Sequence, residues 1–121
     1  MVNWFEIPVE DMNRAQKFYE TVFNVSIKVQ DLGGLLYGWF PPNPASESCT
    51  GALIKYESYV PSKTDGVLIY FASEDVDNEL AIISEVGGTV VQEKTQISPE
   101  VGYMAVFIDS EGNRIALFSR A

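Results

Sequence analysis

Residues 4–22 read WFEIPVEDMNRAQKFYETV and combine a strand, a helix cap and an amphipathic helix in direct succession. Side chains of two kinds alternate from Val2 to Val9 with the period of two that predicts a β-strand. Asp11 follows, and aspartate is among the residue types preferred at a helix N-cap. Apolar side chains then return at helical spacing, at Ala15, Phe18, Tyr19 and Val22. The stretch therefore predicts a strand that is covered on one face by the helix that follows it.

The same order of elements returns in the second half of the chain. Residues 66–75 read GVLIYFASED, an alternating strand that ends at a second candidate N-cap, Asp75. Apolar side chains then follow at helical spacing before Gly87 and Gly88, a pair of residues that commonly ends a helix. The repetition predicts two modules of similar architecture.

Six further strands complete the predicted architecture. They are Val25–Val29, Leu35–Phe40 and Ala52–Lys55 in the first half, and Thr89–Val91, Gly102–Ile108 and Asn113–Ser119 in the second. The chain is therefore predicted to be one α+β domain over residues 1–121, made of two βαβββ modules. Their expected limits are about 1–56 and about 66–121, with a connector at about 57–65. Trp39 and Phe40 precede a Pro-rich loop, 41–48, and two interpretations stay open for them: a flexible arm over an opening, or a dimer contact.

The composition excludes several classes of function. Seventeen acidic residues against eight basic ones give a net charge of -9, which repels the phosphates of nucleic acids and anionic lipids. No apolar run approaches the roughly 18 to 20 residues of a membrane span. The chain contains no His, so Ser-His-Asp, Cys-His and His-based zinc chemistry are excluded. Its one cysteine, Cys49, is predicted to be an incidental thiol, and together with the missing signal sequence it predicts a cytoplasmic protein.

Two stretches of the chain carry a resemblance to a known family. The first is Trp4–Asp11, continued by Arg14-Ala15 and Phe18-Tyr19; the second runs from Gly102 through the turn Asp109-Ser110-Glu111-Gly112-Asn113 to Leu117. They resemble the vicinal oxygen chelate superfamily, which includes glyoxalases, extradiol dioxygenases, fosfomycin-modifying enzymes and bleomycin-resistance proteins. The resemblance implies paired βαβββ modules whose mixed sheets curve around a cavity. It also implies a divalent metal held by His, Gln or Glu side chains of the first and last strands of each module.

The residues at the metal positions that the resemblance implies are not metal ligands. Those positions fall on Trp4, on Leu68, on Ala116, and on Ala52 or Ile54. None of these side chains binds a metal ion in the way His, Cys or a carboxylate does. We therefore expect the protein to bind no metal ion and no cofactor.

Glu6 is the candidate catalytic residue. Strand alternation puts its carboxylate on the expected cavity face, beside Trp4 and Pro8, where burial would raise its pKa towards that of a general base. The competing interpretation is an ion pair with Arg114 of the last strand. Buried charges are usually paired, and the ion pair is the favoured interpretation.

Aromatic side chains are expected to line the same cavity. Alternation within the strands assigns Trp4, Tyr70, Tyr103, Phe107 and Phe118 to it. The complete set of predicted ligand-binding residues is Trp4, Glu6, Leu68, Tyr70, Tyr103, Phe107, Arg114, Ala116 and Phe118. A core filled by its own side chains is an equally open interpretation.

These observations lead to one principal functional hypothesis and two alternatives. The principal hypothesis is a metal-independent homodimer that binds a small organic molecule, and the negative net charge favours a cationic one. It is similar to what the bleomycin-resistance branch of the family implies, a metal-free dimer that sequesters a basic drug. The first alternative is a lyase or other glyoxalase-like enzyme that uses Glu6 as general base, with a non-standard metal site or none. The second is a protein interaction or regulatory module with a closed cavity.

Overall fold

The computed structural model describes residues 1–42 and 50–121, and in it the chain forms two compact units, Met1–Pro61 and Ser62–Ala121. Most of the predicted loop 41–48, and Cys49, lie outside the described residues.

The first unit is a four-stranded sheet with one helix. Its elements are β1 (Trp4–Pro8), α1 (Met12–Phe23), β2 (Lys28–Leu32), β3 (Leu35–Trp39) and β4 (Thr50–Lys55). The strand order is β1-β4-β3-β2, with β1 parallel to β4 and the other neighbours antiparallel. A turn through Gly33 and Gly34, both with positive φ, joins β2 to β3.

Helix α1 begins and covers the sheet as its sequence predicts. Asp11 is the N-cap, and its side chain accepts a hydrogen bond of 3.1 Å from the Arg14 backbone N–H. The helix ends at Asn24, which adopts the left-handed conformation. Its buried side chains are Met12, Ala15, Phe18, Tyr19 and Val22. A Cβ atom at Gly38 of β3 would lie 3.0 Å from the Met12 sulfur, so this face of the sheet approaches α1 closely.

The second unit repeats the order of elements. It contains β5 (Ile69–Ala72), α2 (Val76–Ile83) with a 3₁₀ turn (Ser84–Val86), β6 (Thr89–Ser98), β7 (Gly102–Ile108) and β8 (Arg114–Ser119). The strand order is β5-β8-β7-β6, and β5 is parallel to β8. Two mixed sheets of four strands with two helices confirm the predicted α+β class, and neither sheet closes on itself.

Strand β6 is much longer than the predicted strand Thr89–Val91. It continues to Ser98 and pairs with β7 through three register shifts. Most of its side chains are exposed because β6 is an edge strand, so a polar sequence can continue the ladder without an alternating apolar pattern.

Two clusters of polar side chains form hydrogen bonds in the second unit, one at the N-cap of α2 and one in the turn between β7 and β8. Asp75, the N-cap of α2, accepts a hydrogen bond of 3.0 Å from Lys94 of β6, and this contact lowers the pKa of Asp75 and raises that of Lys94. The Lys94 ammonium also lies 4.7 Å from the centre of the Tyr103 ring. In the turn between β7 and β8, the buried Asp109 carboxylate accepts hydrogen bonds from the backbone N–H groups of Glu111 and Asn113, each at 2.9 Å.

Candidate functional site

The candidate site is the face of the first sheet that is turned away from α1. Gly38 marks the α1 side, and its register partner Leu53 shares that side. Side chains one residue away along each strand point to the opposite face. The ladder places Glu6 of β1 beside Ala52 of β4, and Ala52 beside Trp39 of β3. A carboxylate and an indole thus flank one small residue in the same row.

Three aromatic rings form a cluster on this face. Trp4 and Trp39 meet edge to face, with ring centres 5.2 Å apart, and Tyr37 stacks on Trp39 at 5.0 Å. All three side chains are half-buried. The indole Nε1 of Trp39 is buried and has no hydrogen-bond partner among the residues that the structure describes. An unsatisfied buried donor costs about 1–3 kcal/mol, which an acceptor atom of a ligand would relieve.

Trp39 and Phe40 pack within the first unit rather than form a flexible arm, and the alternative interpretation, a dimer contact, stays a prediction. Trp39 lies in β3 within the cluster, and Phe40 is buried, with its ring centre 5.6 Å from Phe5 and 5.5 Å from Tyr19. The alternation of Leu35, Tyr37 and Trp39 was the signal that could have placed Trp39 on the site face.

Glu6 is half-buried and has a partner that the sequence did not indicate. The Tyr59 hydroxyl donates a hydrogen bond to its carboxylate, and this bond, with the negative charge of Glu6, raises the pKa of the phenol. Tyr37 is close enough to contribute to the same shift. Glu6 and Arg114 belong to different units, and the ion pair between them stays a prediction.

Tyr59 also borders an open groove of about 720 Å³ in the first unit. The backbone N–H of Tyr59 donates to the Tyr56 carbonyl at 3.0 Å, which forms a turn after β4. The groove combines apolar and charged side chains: Val9, Leu36, Tyr56, Tyr59, Val60 and Pro61 with Glu10, Asp31, Lys55 and Glu57. The sequence did not indicate that Tyr59, Val60 and Pro61 line a groove, because the turn-forming residues around them have the composition of a plain connector.

The second unit presents some of the predicted residues on the face turned away from α2. Ser119 lies on the α2 side, where its Oγ accepts a hydrogen bond of 3.2 Å from the Val76 backbone N–H. Alternation along β8 then puts Arg114, Ala116 and Phe118 on the opposite face. Ala116 is paired with Tyr70, which is 49% exposed. Leu68 precedes β5 and is half-buried.

The shared cavity face predicted for Tyr103, Phe107 and Phe118 is wrong. Tyr103 is the register partner of Ser119, and Phe107 is the partner of Ile115, so both point to the α2 side. Phe107 is 0% exposed and belongs to the core. Alternation fixes the two faces of a single strand but not the relative phase of neighbouring strands, which only the register supplies. The β7 residues that share the face of Phe118 are Met104, Val106 and Ile108.

The positions implied for a metal do not fit one. Ala52, Ile54 and Ala116 are fully buried in sheet strands and carry no donor atom. Within residues 1–42 and 50–121, no group of three or more His, Cys, Asp or Glu side chains converges as metal ligands would. Glu6 supplies a carboxylate on the site face, and one carboxylate alone does not make a metal site.

Known proteins with similar sequences or structures have the same fold class as this chain. The profile of the Glyoxalase/Bleomycin resistance protein/Dioxygenase superfamily matches residues 1–117. The chain belongs to this superfamily. Its resemblance to the vicinal oxygen chelate proteins is thereby confirmed. No curated protein sequence matches the chain. In the part of the chain that the structure describes, no helix is long and apolar enough to cross a membrane.

Solved structures of the superfamily superpose over nearly the whole chain. A glyoxalase I mutant of Zea mays has a TM-score of 0.76 at 16% identity, over 98% of this chain and 46% of the maize chain. TnmS3, an antibiotic binding protein of Streptomyces sp. CB03234, has a TM-score of 0.68 at 23% identity, over 100% and 96%. A glyoxalase/bleomycin resistance protein of Albidiferax ferrireducens T118 has a TM-score of 0.71 at 21% identity, over 100% and 99%. The chain thus spans about half of the maize enzyme, and these similarities show the fold alone.

Proposed function

We propose that the protein binds a flat, positively charged organic molecule on the face formed by Trp4, Glu6, Tyr37 and Trp39, without a metal ion. The observation that carries the proposal is the contact of three aromatic rings in one sheet with a carboxylate in the same row as Trp39. Aromatic faces attract both flat rings and cations, and a carboxylate adds attraction for positive charge.

Several findings support this proposal. The net charge of -9 favours the approach of a cation. The family includes proteins that bind an antibiotic, as TnmS3 does, and such a role needs no catalytic metal. A ligand acceptor atom placed at Trp39 Nε1 would satisfy the indole N–H, which has no partner among the described residues, although the neighbouring rings must shift to admit it.

The candidate contacts of the second unit form a separate part of the proposal. They are Leu68, Tyr70, Arg114, Ala116 and Phe118, and the last three share one face of β8. Tyr103 and Phe107 are no longer candidates because the register turns them towards α2.

Calorimetric titration tests the ligand-binding proposal. Tag-free protein is titrated with planar heteroaromatic cations and with neutral molecules of the same shape, and saturable binding that favours the cations is expected. Trp39→Leu should weaken the best ligand about tenfold through lost ring contacts. Tyr56→Leu is the matched control, since Tyr56 is an exposed aromatic residue of the groove. Equal affinity for Trp39→Leu and the parent protein would contradict the proposal, provided that both melt cooperatively.

Metal independence has its own test. Elemental analysis of the tag-free protein is followed by titration with nickel, zinc, manganese and iron(II). We expect no bound metal after purification and no binding tighter than about 1 mM, roughly -4 kcal/mol. One metal ion per chain with micromolar affinity would show that other residues compensate for the positions at Trp4, Leu68 and Ala116.

The enzyme alternative receives less support from the structure. A general base must take a proton from the substrate, and the alternative expects Glu6 to be unpaired. Tyr59 instead donates a hydrogen bond to the Glu6 carboxylate. This contact favours a role for Glu6 in binding over one in proton abstraction.

We also propose that the protein is a cytoplasmic homodimer. Its edge strands expose apolar side chains, which a second copy of the chain would cover: Val29 and Leu32 on β2, and Val91 and Ile97 on β6. Light scattering should then give twice the chain mass of 13.5 kDa, and a monomer at high concentration would contradict the dimer. The lone Cys49, which cannot form an internal disulfide, supports the reducing compartment.

A further inference from the structure

The row of side chains that contains Glu6 and Trp39 crosses all four strands of the first sheet. Beyond Trp39 it continues to β2, where Lys28 is the register partner of Trp39. Directly opposed residues of a ladder share one face, so Lys28 lies on the site face as Glu6 does. The order across the sheet is therefore Glu6, Ala52, Trp39 and Lys28. One end of the row carries a negative charge and the other end carries a positive charge.

The two charged residues stand at opposite edges of the sheet. Neighbouring strands lie about 4.8 Å apart, so three gaps separate the backbones of Glu6 and Lys28 by roughly 14 Å. The Trp39 indole stands between them, and its ring contacts Trp4 and Tyr37. A flat molecule that stacks on these rings would meet a carboxylate at one end and an ammonium group at the other.

Strand β2 adds a positive charge and hydrogen-bond donors to the site face, and its acidic residue points elsewhere. Gln30, two residues after Lys28, lies on the same face by alternation, and its amide offers two N–H donors. Asp31 is the register partner of Leu36, which shares the α1 side with Gly38. The β2 end of the row therefore suits an anionic group.

We propose that the ligand is dipolar: its positive group lies at the Glu6 end of the row, and an anionic substituent such as a carboxylate lies at the Lys28 end. This inference rests on the proposed function and narrows the ligand class to a flat cation that carries a negative group at its far end. Lys28 is then a specificity-determining residue, and Trp39 is the surface on which the body of the molecule stacks.

The exposure of Lys28 sets the size of the expected preference. All residues of β2 are exposed, and an ion pair with an exposed lysine is weak, so a ligand carboxylate should gain about three- to fivefold in affinity over an uncharged amide. A ligand without the negative group gains nothing at this end, and the ammonium group weakly repels a cation. Because salt screens exposed charges, the preference should shrink at high ionic strength.

Tryptophan fluorescence provides the readout, because both tryptophans of the chain, Trp4 and Trp39, are in the aromatic cluster. The dipolar probe has an N-methylpyridinium ring joined end to end to a benzoate ring. The cationic probe has the same frame with a benzamide in place of the benzoate, and the pyridinium ring of both probes quenches indole fluorescence. In the parent protein we expect saturable quenching by both probes, with the dipolar probe about three- to fivefold tighter.

Three variants locate the preference in the sheet. Lys28→Met should lower the ratio of the two affinities to about one, and Lys28→Glu should make the cationic probe the tighter ligand. Lys17→Met is the matched control and should keep the parent ratio. Lys17 is an exposed lysine of the same unit, and it lies on α1, on the other side of the sheet.

Each outcome decides a specific claim. Saturable quenching with equal affinities for the two probes in the parent protein overturns the dipolar ligand and leaves the proposed function in place. A preference for the dipolar probe that survives in Lys28→Met also overturns it, because the anionic group would then lie elsewhere. If Lys28→Met melts without cooperativity, Lys28→Gln carries the same test. Quenching that never saturates with either probe in the parent protein contradicts the proposed function and this inference together.

Discussion

The two units repeat the same order of elements and present different chemistry on the faces turned away from their helices. In the first sheet, Ala52 separates Glu6 from Trp39, and the Trp4 ring reaches Trp39 edge to face. In the second sheet, Ala116 pairs with the exposed Tyr70 and with Val106. The comparison shows that two sheets of the same topology can carry different side chains on the faces turned away from their helices.

The turns of the two sheets differ as strongly as their faces. Asp31, near the end of β2, is exposed and accepts one bond of 2.9 Å from the backbone N–H of Gly34 in the turn to β3. Asp109 between β7 and β8 is buried and accepts from the Glu111 and Asn113 backbones and from the Asn113 side chain. Ser62 at the start of the second unit also donates to Asn113, at 3.3 Å.

The largest predicted effect on stability tests this difference between the turns. Asp109→Ala leaves several buried donors unsatisfied and should lower the free energy of unfolding by about 2–4 kcal/mol. Asp31→Ala removes a solvated acceptor and should cost about 0.5 kcal/mol or less. Urea denaturation of both variants measures the difference. Similar losses would mean that the two turns contribute equally to folding.

The N-cap of α2 carries a second prediction, with a smaller expected effect. Lys94 bonds the Asp75 cap of α2, and the pKa of Asp75 is lowered while that of Lys94 is raised. The unfolded values are near 3.8 for Asp75 and 10.5 for Lys94, so the pair stabilises the folded state between them and is lost as pH falls through the lowered Asp75 pKa. Lys94→Met should therefore lower Tm at pH 7 and converge with the parent protein in acid.

Thermal melts from pH 2 to pH 8 test this convergence, with Lys63→Met as a control for the loss of one exposed positive charge. High salt should shrink the difference at pH 7, because both members of the pair are partly exposed. A Tm difference that stays constant down to pH 2 would assign the effect to packing against Tyr103.

The smallest predicted effect concerns Glu79 in the first turns of α2. Burial raises the pKa of Glu79, whose carboxylate accepts a hydrogen bond from the Ser73 hydroxyl. The folded protein then holds this proton more tightly than the unfolded chain, so stability falls as pH rises above about 4.5. Glu79→Gln should gain a few tenths of a kcal/mol at pH 7, after allowance for solvent screening. A gain that is the same at pH 3 and pH 7 would contradict this cause.

The fold was accessible from the sequence where local signals agree. Asp11 and Asp75 placed both helices, and Gly102–Ile108 matches β7 at both ends. The predicted strand Thr89–Val91 is shorter than β6, because an exposed edge strand carries no alternating apolar pattern. These elements show that local periodicity finds strands that contribute to a core and misses those that only extend a ladder.

The candidate site was accessible only in part, for a different reason. Trp4 and Glu6 were placed on their face by alternation along one strand, and the structure adds Trp39 through the register with Ala52. Tyr59 carried no usable signal, because it lies in a segment without strand or helix, whose path no local periodicity specifies. Contacts between distant elements need register and loop path, and neither is encoded in a local pattern.

The most direct test of the account observes the two indole N–H groups of the protein by ¹H–¹⁵N NMR during titration with a planar aromatic cation. The chain has two tryptophans, so each signal can be assigned with Trp4→Phe and Trp39→Phe. We predict that both indole signals move in a saturable way. Trp39 should shift most, because its Nε1 has no partner within residues 1–42 and 50–121 and gains an acceptor. Indole signals that stay fixed while a ligand demonstrably binds would place the binding site elsewhere and contradict the central claim.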